Sequence, residues 1–319
     1  MNKIKYNIAV SGASGFIGRA LITKLIKEGH QVFGLVRNKI TCYDPIYYKN
    51  ILVEDISKNI VFDEKIKIDI LYHLAAKTHS KSNNYKEYYD VNVLGLKSLL
   101  NISKPLKIKK IIMLSSIKVN GEGFLNNDNY YSEMSKNNPL DNYGISKLEA
   151  ENLLKTFCIG NNINFVILRP PLVYGAGVKG NLKKLMFYID RNIPLPIINT
   201  ANNRSLISLR NLVSALIIVA LNDNANGQTY LVSDDLPISV ENLYKNIAII
   251  MKKKLFLIKF YSLFFKILLW PFGKTKLVEK ISSSLIIDNT KIKKDTEWRP
   301  AISLMDDLKS MIESRKNQS

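Results

Sequence analysis

Gly12, Gly15 and Gly18 recur at three-residue spacing in the segment Ser11–Gly18 (SGASGFIG). They stand between a short β-rich stretch, Lys5–Val10, and an amphipathic helical stretch that runs to about Glu28. A turn this tight, with close backbone approach, needs residues without a Cβ. The helix that follows presents free N–H groups and the positive end of its dipole at the same place, which makes an anion site. Strand, glycine loop and helix in this order predict a pyrophosphate-binding turn that opens a βαβ unit, with backbone contacts from Gly12, Gly15, Phe16, Ile17 and Gly18. Such a unit commits the remaining chain to further parallel strands and to helices that cover them.

Gln31–Val36, Ile51–Val53, Ile70–Leu74, Ile111–Leu114 and Phe165–Leu168 read as short strands, while Tyr85–Ile102 and Asn142–Phe157 have helical spacing. Their alternation predicts a parallel sheet with both faces covered. After Pro170-Pro171 the rhythm breaks, and Gly, Pro and Asn become frequent from Tyr174 to Asn203. Helix-like Leu212–Leu221 and strand-like Thr229–Val232 then return to the sheet. The expected organisation is an α/β nucleotide-binding core of residues 1–171 plus about 205–235. A smaller C-terminal lobe, residues 172–204 plus 236–319, would bind the substrate.

The second strand ends at Val36, the place where an acid would hold a ribose 2′-hydroxyl and favour NAD. Arg37 follows instead, with no acid nearby. An arginine there can pair with a 2′-phosphate, so NADP is favoured over NAD. It can equally stack on adenine or face solvent. Asp55-Ile56 follows the third strand, and Asp55 can accept from an adenine amino group or cap a turn.

The segment Asn142–Lys147 contains Tyr143-x-x-x-Lys147 on a predicted helix, a spacing that puts both side chains on one face. Lys147 beside Tyr143 is expected to lower the phenol from its ordinary value of about 10. A phenolate takes a proton from a hydroxyl, and a phenol gives one to a ketone. Ser115-Ser116 closes the preceding strand, with Ser116 lying 27 residues before Tyr143, where a hydroxyl can orient the substrate oxygen.

With these residues the sequence resembles the extended short-chain dehydrogenase/reductases, the NAD-dependent epimerase/dehydratase family. Gly12/Gly15/Gly18, Leu74-Ala75-Ala76, Asn92-Val93-x-Gly95, Ser116, Tyr143/Lys147 and Arg169-Pro170-Pro171 carry the resemblance over nearly the whole chain. It implies a Rossmann-type doubly wound parallel sheet and hydride transfer between a nicotinamide and C4 of a nucleotide sugar. It also implies cofactor contacts from Leu74, Ala75, Ala76, Tyr143, Lys147 and Pro170, with Asn92 supporting the backbone beside the site. The pattern SS-x-x-V-x-G, closed by Gly121, selects Ser116 rather than Ser115 as the catalytic hydroxyl. Asn120 replaces the family's usual tyrosine.

The 4,6-dehydratase branch resembles a Thr-Asp-Glu sequence where this chain has Ser116-Ile117-Lys118, so no carboxylate stands in that segment and dehydration is not expected. Leu168–Asn181 and Leu114–Gly121 look most like a subgroup associated with bacterial surface-polysaccharide synthesis. It contains UDP-glucose or UDP-N-acetylglucosamine 4-epimerases and reductases of UDP-4-keto-6-deoxy-N-acetylhexosamines. The resemblance implies substrate contacts from Ser116 and Lys118, and a diphosphate held by Asn181 and Arg204, the latter a bidentate cation suited to that task. The second arginine of UDP-hexose epimerases, shortly before Asp288–Lys291, is missing from Ser282-Ser283-Ser284-Leu285. That departure and Arg37 favour the 4-ketoreductase over the 4-epimerase. A homodimer through Tyr85–Ile102 and Asn142–Phe157 is implied as well. The alternative from another class is a non-catalytic, cofactor-sensing binding protein; the intact Ser116/Tyr143/Lys147 set argues against it.

Charge bears on partners. The chain has 46 Lys+Arg against 27 Asp+Glu, a net charge of +19. Between Lys245 and Lys294 stand 12 Lys and 2 acids, a net of +10. Within that stretch Leu255–Phe272 (LFLIKFYSLFFKILLWPF) is apolar except for Lys259 and Lys266, which interrupt it too early for a spanning helix. It is expected to pack against the core or to lie at an anionic membrane surface, which would also suit a lipid-diphosphate sugar. No nucleic-acid fold signal accompanies the charge, so no nucleic-acid partner is expected. Two cysteines and three histidines leave no framework for disulfides or a metal site. With no secretory signal visible at the start, the cytoplasm is the expected compartment.

Overall fold

The computed structural model describes residues 4–316 except 59, 64, 81, 83, 125–128, 198–201 and 260–282. Its strands are β1 (Asn7–Ser11), β2 (Gln31–Val36), β3 (Tyr48–Leu52), β4 (Ile70–His73), β5 (Lys110–Leu114), β6 (Asn164–Arg169), β7 (Leu172–Tyr174), β8 (Leu195–Ile197), β9 (Asn203–Arg204), β10 (Leu206–Ser208), β11 (Gln228–Leu231), β12 (Ile238–Ser239) and β13 (Leu257–Lys259). The α-helices are α1 (Phe16–Lys27), α2 (Tyr85–Tyr89), α3 (Gly95–Ser103), α4 (Asn142–Asn161), α5 (Asn181–Asp190), α6 (Leu209–Leu221), α7 (Val240–Met251), α8 (Thr290–Thr296) and α9 (Leu304–Lys316).

Seven strands form one all-parallel sheet in the order β3-β2-β1-β4-β5-β6-β11. The inner strands are buried almost throughout, as strands covered on both faces must be. One face carries α1 and α6 on an apolar layer that includes Ile8, Val10, Val32, Leu21 and Leu216. The other carries α3 and α4 over Ala9, Leu71, Ile111, Leu99 and Leu154. The chain passes outward from β1 to β2 and β3, then crosses back to β4 on β1's other side. This reversal opens a crevice at the carboxyl ends of β1 and β4, the place where doubly wound sheets bind ligands.

The lobe is assembled from pairs: β7 with β10, β9 with β12 and β8 with β13. Its own apolar cluster joins α5, α7 and α9 through Leu182, Leu185, Met186, Ile247, Leu308 and Met311. Part of the stretch 236–319 packs elsewhere. Ile292 and Trp298 join the layer under the sheet, and the Trp298 indole N–H donates to Ser214 Oγ at 2.9 Å.

Several elements differ from the expected bounds, among them β3, α4 and the stretch Tyr85–Ile102. β3 begins at Tyr48 rather than Ile51, and its polar Lys49 and Asn50 belong to the edge strand of the sheet. The stretch Tyr85–Ile102 is not one helix, because a π-helical turn at Asp90–Leu94 separates α2 from α3. That wide turn carries Asn92, whose amide bonds both polar groups of the Lys77 backbone and Ser146 Oγ. Helix α4 runs past Phe157 to Asn161 and stops where Asn162 takes a left-handed conformation, φ 52°. Among the described residues no helix is long and apolar enough to cross a membrane. Of the run Leu255–Phe272, the first five residues lead into or form β13, and 260–272 lie outside the described residues.

Candidate active site

The glycine loop leaves β1 at the crevice. Gly12 has φ 73°, and a Cβ there would lie 2.7 Å from Ala75 N. A Cβ on Gly18 would lie 2.2 Å from Gly12 O, so this glycine lets the first turn of α1 press against the loop. Gly15 N–H donates to Gly12 O at 2.9 Å and closes the turn. Beside it lies a cavity of about 530 Å³ walled by Gly12, Gly15, Arg37, Asp55, Ile56 and Leu74-Ala75-Ala76. Ser14, Val53, Glu54, Lys77 and Val91 line it too, and no sequence signal had marked these five. The volume is within the range of small-molecule and cofactor sites.

The side chains of Phe16 and Ile17 do not wall this cavity; they pack against the core, so these residues offer it only their backbone at the start of α1. Asp55 lines the cavity and also accepts from Ser57 N and Oγ, at 2.9 and 2.7 Å, so it caps a turn as well. Arg37 is exposed at the end of β2. Pro170, just past β6, is buried, and its carbonyl accepts from Ile117 N at 3.0 Å.

Ser116 caps a single 3-10 turn that follows β5. Tyr143 and Lys147 stand one turn apart on α4, and the Ser116 side chain acts on the Tyr143 phenol. Lys147 is fully buried, and its ammonium has no hydrogen-bond partner among the described residues. Burial pushes it down to about 8, against a partial offset from Glu151. Tyr143 does not move as expected. Burial pushes it up to about 12, Ser116 pulls the other way, and the carboxylate of Asp141 adds to the rise. The cost of burying a phenolate is the largest cause, and Lys147 is not among the groups that move the phenol. An orphaned, fully buried ammonium beside a Cβ-free phosphate cradle fits the ribose and pyrophosphate of a nicotinamide dinucleotide.

Around this core the fold gathers side chains that sequence spacing could not connect. Lys118 is one of them. Its ammonium is ion-paired with Asp141 and lies 3.5 Å from Glu122 and 5.7 Å from the centroid of the Tyr143 ring. The segment 116–118 has no carboxylate of its own, yet the fold brings these two beside it. Beneath the strand ends, Arg169 meets Glu151 through Nε at 2.9 Å and Nη2 at 2.5 Å. Ser115 Oγ donates to the same carboxylate. Arg169 Nη1 donates to Asn120 Oδ1 and Asn137 Oδ1, both at 2.9 Å. His73 Nδ1 pairs with Ser11 Oγ at 2.9 Å, and its ring is held neutral by burial and by the charge of Lys147.

Asn181 and Arg204, far apart in sequence, line one cavity of about 160 Å³ with Ile238, Leu243 and Tyr244. Arg204 Nη2 donates to the Ser283 carbonyl at 3.2 Å. Of the serine run without the second arginine, Ser283 and Ser284 are buried and Ser282 lies outside the described residues. Glu122 acts on Arg204 as well as on Lys118, so this cavity and the Tyr143 region share one charge cluster.

Residues 8–233 match the family model described as NAD dependent epimerase/dehydratase family. A UDP-glucose 4-epimerase of Vibrio cholerae is 32% identical over 98% of this chain and 96% of its own length. An N-acetyl-alpha-D-glucosaminyl-diphospho-ditrans,octacis-undecaprenol 4-epimerase of Escherichia coli O157:H7 is 25% identical over 78% of this chain and 73% of its own. The solved UDP-glucuronic acid 4-epimerase from Bacillus cereus in complex with NAD shares the fold, with a TM-score of 0.77, 22% identity and coverage of 98% and 99% of the two chains. Matched glycine cradle, Tyr143/Lys147 helix and near-full-length similarity lead to one conclusion: the chain belongs to the NAD-dependent epimerase/dehydratase family.

Proposed function

We propose that this protein carries out oxidoreduction at C4 of a nucleotide sugar and works as a 4-epimerase. The observation that carries the chemistry is the Tyr143 phenol, next to Ser116 in its electrostatics and one helical turn from the buried ammonium of Lys147, which has no hydrogen-bond partner among the described residues. The near-full-length similarity to the Vibrio cholerae enzyme supports the epimerase outcome. When bound, a nicotinamide dinucleotide supplies the acceptor and donor of hydride at C4. Tyr143 takes the proton of the C4 hydroxyl and gives it back to the ketone oxygen. Ser116 holds that oxygen in line with the phenol, and Lys147 holds the ribose beside the nicotinamide. Arg204 and Asn181 grip the diphosphate, with Arg204 suited to two charge-assisted bonds.

A second reading is reduction of a 4-keto-N-acetylhexosamine nucleotide with NADPH. Arg37 at the cavity supports it through its fit to a 2′-phosphate. A phenol pushed up to about 12 is a proton donor at neutral pH, which suits ketone reduction. The undecaprenyl-linked relative extends the candidate carriers to a lipid diphosphate. In either case the product would serve surface-polysaccharide synthesis, and helices α2, α3 and α4 would form the interface of a homodimer.

The test is to denature purified protein and identify any released nicotinamide, then incubate the enzyme with UDP-glucose and UDP-N-acetylglucosamine. Near-stoichiometric NAD and appearance of the galacto epimer support the epimerase. Little nicotinamide, tighter binding of NADPH than NADH and reduction of a 4-keto sugar support the second reading. Tyr143→Phe should keep its nicotinamide and lose about 10²- to 10⁴-fold in turnover. Full activity in that variant overturns both.

A further inference from the structure

Lys118 has no place in the proton transfer just described, yet the site is built around it. Its ammonium stands 5.7 Å from the centroid of the Tyr143 ring. Asp141, its ion-pair partner, is also the N-cap of α4 and accepts from Gly144 N at 2.8 Å through Oδ1. One carboxylate is thus tied both to the helix that carries Tyr143 and to the turn that carries Ser116. Glu122, 3.5 Å from the ammonium, anchors the other side of Lys118 and is itself answered by Arg204.

We propose that Lys118 is a positioning residue that sets the proton affinity of Tyr143 by cancelling the charge of Asp141 and strapping the Ser116 turn to the first turn of α4. The groups that face Tyr143 are Ser116 and Lys118 from the turn after β5, Asp141 and Lys147 from its own helix, and Tyr88 from α2, with ring centroids 6.4 Å apart. Asp141 is the one anion among them that acts directly on the phenol. An uncancelled carboxylate two residues away opposes phenolate formation; a carboxylate paired with an ammonium opposes it far less. Glu122 keeps the ammonium in place without adding its own charge beside the phenol. The consequence for turnover rests on the C4 reading above, while the electrostatic claim does not.

The test labels the protein with [¹³Cζ]tyrosine and follows the Tyr143 resonance, identified by its loss in Tyr143→Phe, against pH. Asp141→Asn keeps a good N-cap, removes the carboxylate and leaves the Lys118 ammonium uncancelled beside the Tyr143 ring, so it should lower the Tyr143 midpoint by about one pH unit. Lys118→Met should leave Tyr143 protonated at pH values where the wild-type protein has begun to titrate, and Lys118→Arg should restore the wild-type curve. In turnover, the pH limb assigned to Tyr143 moves in the same directions. An Asp141→Asn midpoint within about 0.3 units of wild type overturns the proposal, as does a Lys118→Met variant that raises KM alone with an unmoved limb, the mark of a substrate ligand. Shifted midpoints in a protein that turns over no nucleotide sugar would uphold the electrostatic claim and defeat the C4 reading. Turnover with unmoved midpoints would do the reverse.

Discussion

Substituting Arg169 by Met tests the buried charge network beneath the catalytic residues. Arg169 and Glu151 are 3% and 0% exposed, and their pairing at 2.9 and 2.5 Å is bidentate. Removing one partner of such a pair costs about 3–5 kcal/mol, because the other charge stays buried and uncompensated. Unfolding entropy for a chain of this size is roughly 0.7 kcal/mol/K, so the expected loss is about 5–8 °C in the melting midpoint. Replacing both residues by Met should recover much of the loss, since no lone charge remains; the freed amides of Asn120 and Asn137 keep recovery incomplete. Thermal unfolding followed by circular dichroism measures both. A single-variant loss below about 1 kcal/mol, or additive losses in the double variant, would refute the reasoning.

Other substitutions probe the cradle and the pair. Gly18→Ala places a Cβ 2.2 Å from Gly12 O, so it should reduce the bound nicotinamide recovered on denaturation while leaving the Asn181/Arg204 cavity able to bind UDP, measured by calorimetry. Arg37→Ser should weaken NADPH binding by about 1.5–3 kcal/mol if the guanidinium meets a 2′-phosphate, and leave NADH within a few-fold; equal effects on both in fluorescence titration would assign it to adenine stacking. Lys147→Met removes a fully buried, unpartnered charge whose folded value is pushed down to about 8. It should stabilise the cofactor-free protein at pH 7 by up to about 3 kcal/mol while abolishing turnover, and a lower melting midpoint would show that the ammonium is better compensated than its surroundings indicate.

The parts of the site that were legible in sequence are those whose partners are close along the chain. The Gly12/Gly15/Gly18 spacing and Tyr143-x-x-x-Lys147 are local, and Ser116 followed from the end of a recognisable strand. Lys118 reads as a substrate contact, and its pairing with Asp141 is out of view because that residue lies 23 residues away and only the start of α4 brings it back. Arg169 meets Asn120 across 49 residues and Glu151 across 18, so its network is invisible to spacing. Asn120 looks like a mere departure from the family's tyrosine until its amide oxygen is seen accepting from Arg169. Strand β3 escaped at its start because an edge strand need not be apolar at every residue. The helix Tyr85–Ile102 hid a π turn, since a one-residue widening leaves the apolar spacing nearly intact.

The sign of the Tyr143 shift was the misreading with most consequence, and it shows what burial does here. In water a phenol and an ammonium titrate within about half a unit of each other. The site pulls both toward their neutral forms, Tyr143 up to about 12 and Lys147 down to about 8. At pH 7 the phenol is neutral and the ammonium still charged, so the site holds a proton donor and a cation that its surroundings leave unpaired. For Lys147 the sign is plain. Below about pH 8 the buried charge costs stability in full, and the cost is relieved as pH rises from about 8 toward the unfolded value near 10.4. Folding has therefore accepted a loss at the residue that the proposed chemistry most needs charged. A chain selected for stability alone would place Met there, and the stabilisation expected of Lys147→Met is a direct measure of how far the site departs from that choice.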